Sequence, residues 1–355
     1  MATATDPHPS EWAIDDEVVR LREWGTGIIH QLPEPPVGEL ELGASEGCAI
    51  RLRDASGQVS HRHARLERRS LGWVAQDLGS KNGLRFDGAR RPRALLQPGS
   101  ELGIGSLTLL AESRQSLELR GYLRRLLGWD TARTAAVDLA LRALRLSASG
   151  RAPLALFGSG DLVPIALALH RRALGASRPF IVCDPRRRDS DASIRSARNV
   201  QSAIAALRAA EGGTLCVRSR RLPGDVSELL AALCEQRIRL QLVVCTQDPA
   251  GHSAFEAASI TIPPLEAREH ELPKLVEQYV EEAILSLAPG VRLTAADRDW
   301  LASAAFLSLP ELEKAARRLV AIRSTGGNVS AAAKLLGMSH VGLGWWLARR
   351  GRLGA

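Results

Sequence analysis

The chain has 355 residues, enough for two or three domains, and its 45% hydrophobic and 24% charged residues are ordinary for a soluble globular protein. Its formal net charge of +8 favours nucleic acid or another acidic partner. No apolar run reaches transmembrane length, no signal peptide opens the chain, and five scattered cysteines without Cys-x-x-Cys spacing indicate neither disulfides nor zinc. We therefore expect a cytoplasmic protein without cofactor, metal or membrane contact.

The first ordered region is predicted over residues 18–113, after a disordered N-terminus at 1–17. Several short apolar stretches alternate there with turn residues, which is typical of an all-β sandwich. Four motifs lie within this pattern: Leu42-Gly43-Ala44-Ser45, Ser60-His61-Arg62-His63-Ala64, Asp77-Leu78-Gly79-Ser80-Lys81-Asn82-Gly83 and Leu102-Gly103-Ile104-Gly105.

The order and spacing of these motifs resemble a forkhead-associated (FHA) domain, a β-sandwich that binds phosphothreonine on partner proteins. Gly-rich loops at one end of a sandwich are where binding groups lie. The hydroxyls of Ser60 and Ser80 are suited to a phosphate, and the Asn82 amide is suited to the backbone of an extended peptide. The predicted phosphopeptide-binding residues are Ser60, Arg62, Ser80, Lys81 and Asn82, and the predicted structural residues are Gly43, His63 and Gly83.

Two positions depart from the FHA pattern. The family's phosphate-binding arginine after the first glycine is Ala44 here, and the arginine after the family's serine is His61. Arginine matters because its planar guanidinium matches the phosphate oxygens. Nearby cations offer substitutes, namely Arg51, Arg53, Arg62 and Lys81. The alternative is a retained sandwich with little affinity for phosphate.

The middle of the chain changes to Leu/Ala/Arg segments of helical period, alternating with short apolar strands at 152–157, 180–183, 213–217 and 240–245. Such alternation predicts a parallel sheet in an α/β domain. The order of segments resembles the AAA+ ATPase domain of sigma-54-dependent transcription activators, a P-loop NTPase-type fold. We assign the α/β part to residues 118–262 and a helical, lid-like part to 263–322.

The catalytic residues of that family are missing. A phosphate loop needs a lysine and a Ser/Thr after its last glycine, but Gly158-Ser159-Gly160 leads directly into Asp161-Leu162-Val163. Arg218-Ser219 stands where the family has its metal-binding acids, and the loop that contacts sigma factor is absent between Cys183 and Gly212. Phosphoryl transfer depends on positioning charges around Mg²⁺. The sequence therefore predicts a pseudo-ATPase, with an active ATP-driven motor as the alternative.

The C-terminal region, 323–355, predicts an all-α helix-turn-helix and resembles the Fis-type unit that closes sigma-54 activators. The first helix is predicted over Ala331–Leu336, the turn over Gly337–Ser339 and the recognition helix over His340–Arg350, with Ser330 or Ser339 as helix cap. Lysines and arginines are frequent in and around this region, which favours contact with the phosphate backbone of DNA. The predicted DNA-binding residues are Ser339, His340, Val341, Arg349 and Arg350. A helical hairpin that has lost contact with DNA is the alternative.

Taken together, these regions predict a non-enzymatic bacterial transcription regulator that senses phosphothreonine, binds DNA and lacks ATPase and sigma-54 contact functions. Its expected partners are a phosphothreonine-containing protein, such as a Ser/Thr kinase or its substrate, and duplex DNA, with a homodimer on the DNA. The alternative function is a phosphoprotein adaptor in Ser/Thr-kinase signalling without DNA binding.

Overall fold

The structure is a computed structural model that describes residue 14 and residues 16–35, 38–149, 153–191, 197–234, 240–248, 258–303 and 308–349. It divides the chain into two compact units. The first comprises Met1–Ala152 with Leu169–Arg178, and the second comprises Pro153–Ala168 with Pro179–Ala355. The predicted disordered segment 1–17 falls outside the described residues, apart from Ile14, Asp16 and Glu17. The domain boundaries proposed from sequence stay predictions.

The first unit contains a β-sandwich, as its alternating apolar pattern predicts. One sheet has the strand order β2-β1-β11-β10-β7-β8 and the other β4-β3-β5-β6-β9. The strands are β1 Val18–Glu23, β2 Ile29–Gln31, β3 Glu39–Gly43, β4 Ile50–Arg51, β5 Ala64–Arg69, β6 Gly72–Asp77, β7 Leu84–Phe86, β8 Ala89–Arg90, β9 Arg93–Leu95, β10 Glu101–Ile104 and β11 Leu107–Ser113.

The core of the sandwich follows from the two-residue period of its strands. On β5 the side chains of Ala64 and Leu66 are buried, and on β6 those of Trp73 and Ala75 are buried. Successive side chains of a strand point to opposite faces, so one face of each sheet turns inward. The pairs between strands are antiparallel except for β3 with β4.

Two helices complete the first unit, α1 over Arg114–Leu127 and α2 over Thr134–Ala148. A capping box begins α1, since the side chains of Ser113 and Ser116 each accept a backbone N–H from the other residue. Asp138 on α2 is fully buried and accepts hydrogen bonds from Arg22, Arg120 and the Gly25 amide. These bonds tie α1 and α2 to the first strand of the sandwich.

The second unit contains a six-stranded sheet in which every named pair is parallel, in the order β14-β13-β15-β16-β12-β17. Its strands β13 and β16 are buried along their whole length, which explains their uninterrupted apolar sequences. The α/β prediction is confirmed. The elements of this α/β part are β12 Leu154–Phe157, α3 Val163–Ala173, β13 Phe180–Cys183, β14 Arg198–Asn199, α4 Ala203–Ala209, β15 Thr214–Arg218, α5 Val226–Cys234, β16 Gln241–Thr246 and β17 Ala258–Thr261. The division into units falls within α3, whose residues from Leu169 onward belong to the first unit.

The remainder of the second unit is helical, as expected. Its helices are α6 Leu272–Leu287, α7 Ala295–Ser303, α8 Leu309–Ser324, α9 Val329–Leu336 and α10 His340–Arg349. The last three share a small core in which Ala332, Ala333 and Leu343 are buried. The small side chains of Ala332 and Ala333 allow the helices to approach closely. None of the helices in the described part of the chain is both long and apolar enough to cross a membrane.

Candidate functional site

Two loops of the sandwich are joined by a buried histidine. His63 is 0% exposed, its Nδ1 accepts the backbone N–H of Ser60 at 3.0 Å, and its Nε2 lies 3.2 Å from the carbonyl oxygen of Gly83. This arrangement requires the neutral tautomer with its proton on Nε2, because Nδ1 must accept. The ring therefore holds the Ser60 loop against the loop that ends at Gly83.

The predicted phosphopeptide residues meet in these two loops. The Ser60 hydroxyl accepts the Lys81 N–H at 3.1 Å, and Asn82 Nδ2 donates to the carbonyl of Gln58 at 2.8 Å. The Ser80 hydroxyl donates to Asp77 at 2.5 Å and accepts the Gly83 N–H at 2.9 Å. The structure thus brings Ser60, Ser80, Lys81 and Asn82 together.

Arg62 already has an acidic partner. Its guanidinium forms an ion pair with Glu41 on β3, with Nε 2.6 Å from Oε2. The hydrogen bond from Arg62 lowers the pKa of Glu41, and the same bond raises the pKa of Arg62. A phosphate that uses Arg62 has to compete with this carboxylate.

The position of the missing arginine is apolar. Ala44 packs against the sandwich core, and its backbone N–H donates to the Ser60 carbonyl at 3.0 Å. Lys81 and Arg53 are exposed nearby along the chain, and Arg51 is paired with Glu46 at 2.8 Å. Of the proposed substitutes for the arginine, Lys81 lies within the loop that carries Ser80 and Asn82.

At Gly43 and Gly83 the backbone requires a residue without a side chain. A Cβ at Gly43 would collide with the backbone carbonyl of His61, so a side chain there would push the Ser60 loop away. Gly83 has a φ of +68°, a conformation that L-residues with side chains rarely adopt.

Asp54 is an organising residue that the sequence interpretation missed. Its carboxylate accepts the backbone N–H groups of Ser56, Gln58 and Val59 and the hydroxyls of Ser56 and Ser106. The hydroxyl hydrogen bonds from Ser106 and Ser56 lower the pKa of Asp54. The signal available in the sequence is Asp54-Ala55-Ser56-Gly57, a typical turn in which Asp bonds the backbone two residues on.

In the second unit, an ion-pair cluster surrounds the loop Gly158–Asp161. Arg218, at the end of β15, donates to Asp161 at 3.0 Å and to Asp184 at 2.9 Å, and Arg221 also donates to Asp184 at 3.1 Å. Burial opposes the charge of Arg218, but Asp161 and Asp184 raise its pKa overall. Asp161 thus uses its carboxylate within the protein at the place where the motif of a nucleotide-binding loop would present lysine.

The loop itself is held by contacts with its own unit. Gly160 has a φ of +81°, and a Cβ there would collide with the Ser308 hydroxyl. Its carbonyl accepts a hydrogen bond from Gln247 at 3.2 Å, and the Gly158 N–H donates to the Thr246 carbonyl at 3.2 Å.

The helix-turn-helix has nearly the predicted bounds, with one correction. The cap of α9 is Asn328, whose side chain accepts the Ala331 N–H at 3.0 Å, whereas Ser330 lies inside the helix. The prediction that Ser330 caps this helix is wrong, because α9 begins two residues earlier than its sequence bound. Gly337 ends α9 in the left-handed conformation, with a φ of 60°.

The start of α10 faces solvent. Ser339, His340 and Val341 are exposed, and Trp345, one turn beyond Val341, is 67% exposed. Trp346 packs edge-on against Trp300 with ring centroids 5.9 Å apart. The side chain of Arg349 and all of Arg350 lie outside the described residues.

Three cations of the C-terminal helices have partners inside the unit. Arg323 forms two hydrogen bonds with the buried Asp297, at 2.8 and 3.0 Å. Arg318 lies over the Trp346 ring at 5.1 Å, and Arg317 donates to the Ser286 hydroxyl at 3.1 Å. Lys314 and Lys334 are exposed. The carboxylate of Asp297 neutralises the charge of Arg323, whereas a hydroxyl and an aromatic ring leave the charges of Arg317 and Arg318 in place.

Two family models match the sequence. Residues 40–105 match the model described as FHA domain, and residues 319–344 match the model described as bacterial regulatory protein, Fis family. The predictions of an N-terminal FHA domain and a C-terminal Fis-type helix-turn-helix are confirmed. No curated protein matches the chain.

Solved structures similar to this chain include an FHA domain analysed for phosphothreonine-dependent interactions. It is 25% identical, with 27% of this chain and 95% of that one covered at a TM-score of 0.24. EmbR from Mycobacterium tuberculosis, in complex with a low-affinity phosphopeptide, is 24% identical over 27% of this chain and 24% of its own, at a TM-score of 0.24. NtrX from Brucella abortus, in complex with ADP, is 15% identical over 66% of this chain and 72% of its own, at a TM-score of 0.38.

Proposed function

We propose that this protein is a transcription regulator that binds phosphothreonine through its FHA domain and duplex DNA through its helix-turn-helix, without ATPase activity or sigma-54 contact. The observation that carries the proposal is the presence of both family matches in one chain, at 40–105 and 319–344. The phosphoprotein partner is a Ser/Thr kinase or its substrate, and the protein acts on DNA as a homodimer.

Phosphothreonine binding is supported by the grouping of Ser60, Ser80, Lys81 and Asn82 on two loops joined by His63. Isothermal titration of the full-length protein with phosphothreonine peptides tests it. The phosphorylated peptide should bind about tenfold or more tightly than its unphosphorylated twin, because charge-assisted hydrogen bonds form only with the phosphate. Equal binding of the two peptides would contradict this part of the proposal.

The ion pair between Arg62 and Glu41 allows a sharper version of that titration. Glu41→Gln releases the guanidinium from its carboxylate, so phosphopeptide affinity should rise if Arg62 contacts phosphate. Glu17→Gln is the matched control, since Glu17 pairs with Arg68, which is not a candidate for the site. Unchanged affinity in Glu41→Gln, together with unchanged affinity in Arg62→Ala, would remove Arg62 from the site.

The lack of ATPase activity is supported by Arg218, which forms ion pairs with both Asp161 and Asp184. A carboxylate at this loop repels nucleotide phosphates, and the chain supplies no lysine there to attract them. We expect no phosphate release above background and no nucleotide-induced shift of the melting temperature. Enzyme-dependent release that disappears in an Asp161→Ala variant would contradict the proposal.

DNA binding is supported by the Fis-family match and by the exposure of Ser339, His340 and Val341 at the start of α10. Side chains at the N-terminus of a recognition helix are those that reach base edges. A gel-shift experiment with the protein's own upstream region tests it. Arg349→Ala and Arg350→Ala should each weaken DNA binding. If the arginine contacts a phosphate, its replacement should mainly make the affinity less dependent on salt concentration.

A phosphoprotein adaptor without DNA binding is the second candidate. It is favoured by the ion pair between Arg323 and the buried Asp297, which removes one charge from a phosphate-binding role. The two functions differ in the gel shift, because an adaptor retards no duplex even at low salt.

A further inference from the structure

A group of exposed arginines lies after the carboxyl ends of β13 and β15 and along the edge strand β14. Arg186, Arg187 and Arg188 follow β13, Arg198 begins β14, and Arg220 follows β15. We call these five residues the arginine surface. Across the part of the chain that the structure describes, the guanidinium groups of Arg186, Arg187, Arg188 and Arg198 form no hydrogen bond or ion pair, so their charges are available to a ligand.

The backbone beneath these side chains is held by two buried polar residues. Asn199 Nδ2 lies within 3.2 Å of the carbonyl oxygens of Asp184, Arg187 and Arg188. Asp184 is 0% exposed and accepts the Arg186 N–H at 3.1 Å. Since only backbone atoms of the three consecutive arginines are used, the loop presents their side chains without needing them for its own structure. Such preorganisation lowers the entropy lost on binding.

The same buried carboxylate connects the loop to the next strand. Asp184 also accepts hydrogen bonds from Arg218 at 2.9 Å and from Arg221 at 3.1 Å. The residues after β13 and after β15 are therefore neighbours in space. Among the described residues, seven arginines stand here against five aspartates, a net charge of +2: Arg186, Arg187, Arg188, Arg198, Arg218, Arg220 and Arg221, with Asp161, Asp184, Asp189, Asp191 and Asp225.

The chemistry of this surface fits a chain of phosphates. Guanidinium groups stay charged at any physiological pH and match phosphate oxygens in a planar, two-bonded geometry. Affinity for duplex DNA comes largely from neutralising several phosphates, and the positioning contacts made with phosphates outnumber those made with bases. In the helical part of the same unit Asp297 neutralises Arg323, so phosphate contacts from a second surface would add to those that the helix-turn-helix can make.

We propose that the arginine surface binds the phosphate backbone of duplex DNA and supplies phosphate contacts in addition to those of the helix-turn-helix. The inference rests on the proposed DNA-binding function and adds a second contact region to it. It assigns to the central α/β domain a role that needs neither nucleotide binding nor hydrolysis.

Fluorescence anisotropy with full-length protein and a duplex from its upstream region tests the inference across a range of salt concentrations. The test variant is Arg187→Ala/Arg188→Ala, and the matched control is Arg91→Ala/Arg93→Ala, which removes the same charge from exposed positions of the first unit. The slope of log affinity against log salt should become shallower by about one to two in the test variant, because each lost phosphate contact contributes about one. The control should keep the wild-type slope.

The other outcomes separate the inference from the function on which it rests. A test variant with the wild-type slope overturns the inference and leaves DNA binding by the helix-turn-helix intact. A wild-type protein that binds no duplex at low salt overturns both. If the test variant keeps the wild-type salt slope for DNA but no longer binds polyglutamate, the arginine surface binds an acidic protein and not DNA. Arg187→Lys/Arg188→Lys should retain the wild-type salt slope, because lysine keeps the positive charge. Circular dichroism of each variant checks that it is folded.

Discussion

Histidine 63 shows how one side chain connects the two loops that carry the candidate phosphopeptide residues. It accepts a backbone N–H from one loop and lies within hydrogen-bond distance of a carbonyl of the other, while fully buried. A neutral ring suits both contacts. Because its neighbours Ser60 and Gly83 belong to separate motifs, the ring sets the distance between them.

Replacing this ring by an apolar side chain should destabilise the first unit. His63→Leu leaves the Ser60 N–H and the Gly83 carbonyl without their partner, and an unsatisfied buried group costs about 1–3 kcal/mol. We expect a loss of about 2 kcal/mol in the free energy of unfolding, measured by urea denaturation. His61→Leu, at an exposed position, should stay within about 0.5 kcal/mol of the wild type. Equal stability of both variants would contradict the bridging role.

Asp54 predicts a pH dependence of the same unit. Its pKa is lowered in the folded protein by the hydroxyls of Ser106 and Ser56. A carboxyl whose folded pKa lies below its unfolded value of about 3.9 contributes stability that is fully present above that value and is lost as the pH falls through the folded pKa.

The variant that tests this is Asp54→Asn, which removes the titrating group. The difference in stability between wild type and variant should be constant above about pH 5 and should shrink as the pH falls below about 4. Urea unfolding at a series of pH values measures it. A difference that does not change with pH would mean that Asp54 does not titrate as the structure indicates.

At the scale of elements, buried charge joins α1 and α2 to the sandwich. Asp138 on α2 receives hydrogen bonds from Arg22 on β1 and Arg120 on α1, and Glu112 on β11 also pairs with Arg22 at 3.1 Å. Burial and the neighbouring charge of Arg22 lower the pKa of Arg120 to about 10. Two carboxylates thus balance the arginines in a region closed to water.

Removing one carboxylate should destabilise the unit strongly. Asp138→Ala leaves Arg22 and Arg120 buried with insufficient countercharge, and breaking a buried pair from one side costs about 3–5 kcal/mol. Thermal unfolding followed by circular dichroism measures the effect. Glu118→Ala, at an exposed position of α1, is the control and should change stability by less than about 0.5 kcal/mol. A small effect of Asp138→Ala would show that the cluster is not part of the cooperative structure.

At the scale of the whole molecule, the two compact units are expected to unfold as separate cooperative transitions. Asp138 lies in the first unit, and Asp297 in the second is fully buried and bonded to Arg323 and Thr294. Although burial by itself raises the pKa of Asp297, hydrogen bonds from Arg323 and Thr294 lower it overall.

Calorimetry of two variants tests this independence. Asp138→Ala should lower the melting temperature of one transition and Asp297→Ala that of the other, because Asp138 stabilises the first unit and Asp297 the second. A single transition that both variants shift equally would show that the chain unfolds as one cooperative body.

The local features of the fold were predictable because neighbours along the chain determine them. The alternating pattern of β5 and β6, the apolar runs of β13 and β16 and the left-handed Gly337 all follow from backbone geometry and the side chains nearby. The α9 cap was missed because Asn328 and Ser330 are both good capping residues, and only the observed start of the helix distinguishes them.

The sequence by itself therefore determined the β-sandwich, the parallel α/β sheet, the terminal helix pair and the absence of a lysine after Gly160. The tertiary structure alone decided which charges are available. Arg62 is paired with Glu41, and Arg323 is paired with Asp297, whereas the side chains of Arg186–Arg188 remain unpaired among the described residues. The physical reason is that a long charged side chain takes partners from elements distant in sequence, as Arg22 does with Asp138 116 residues away.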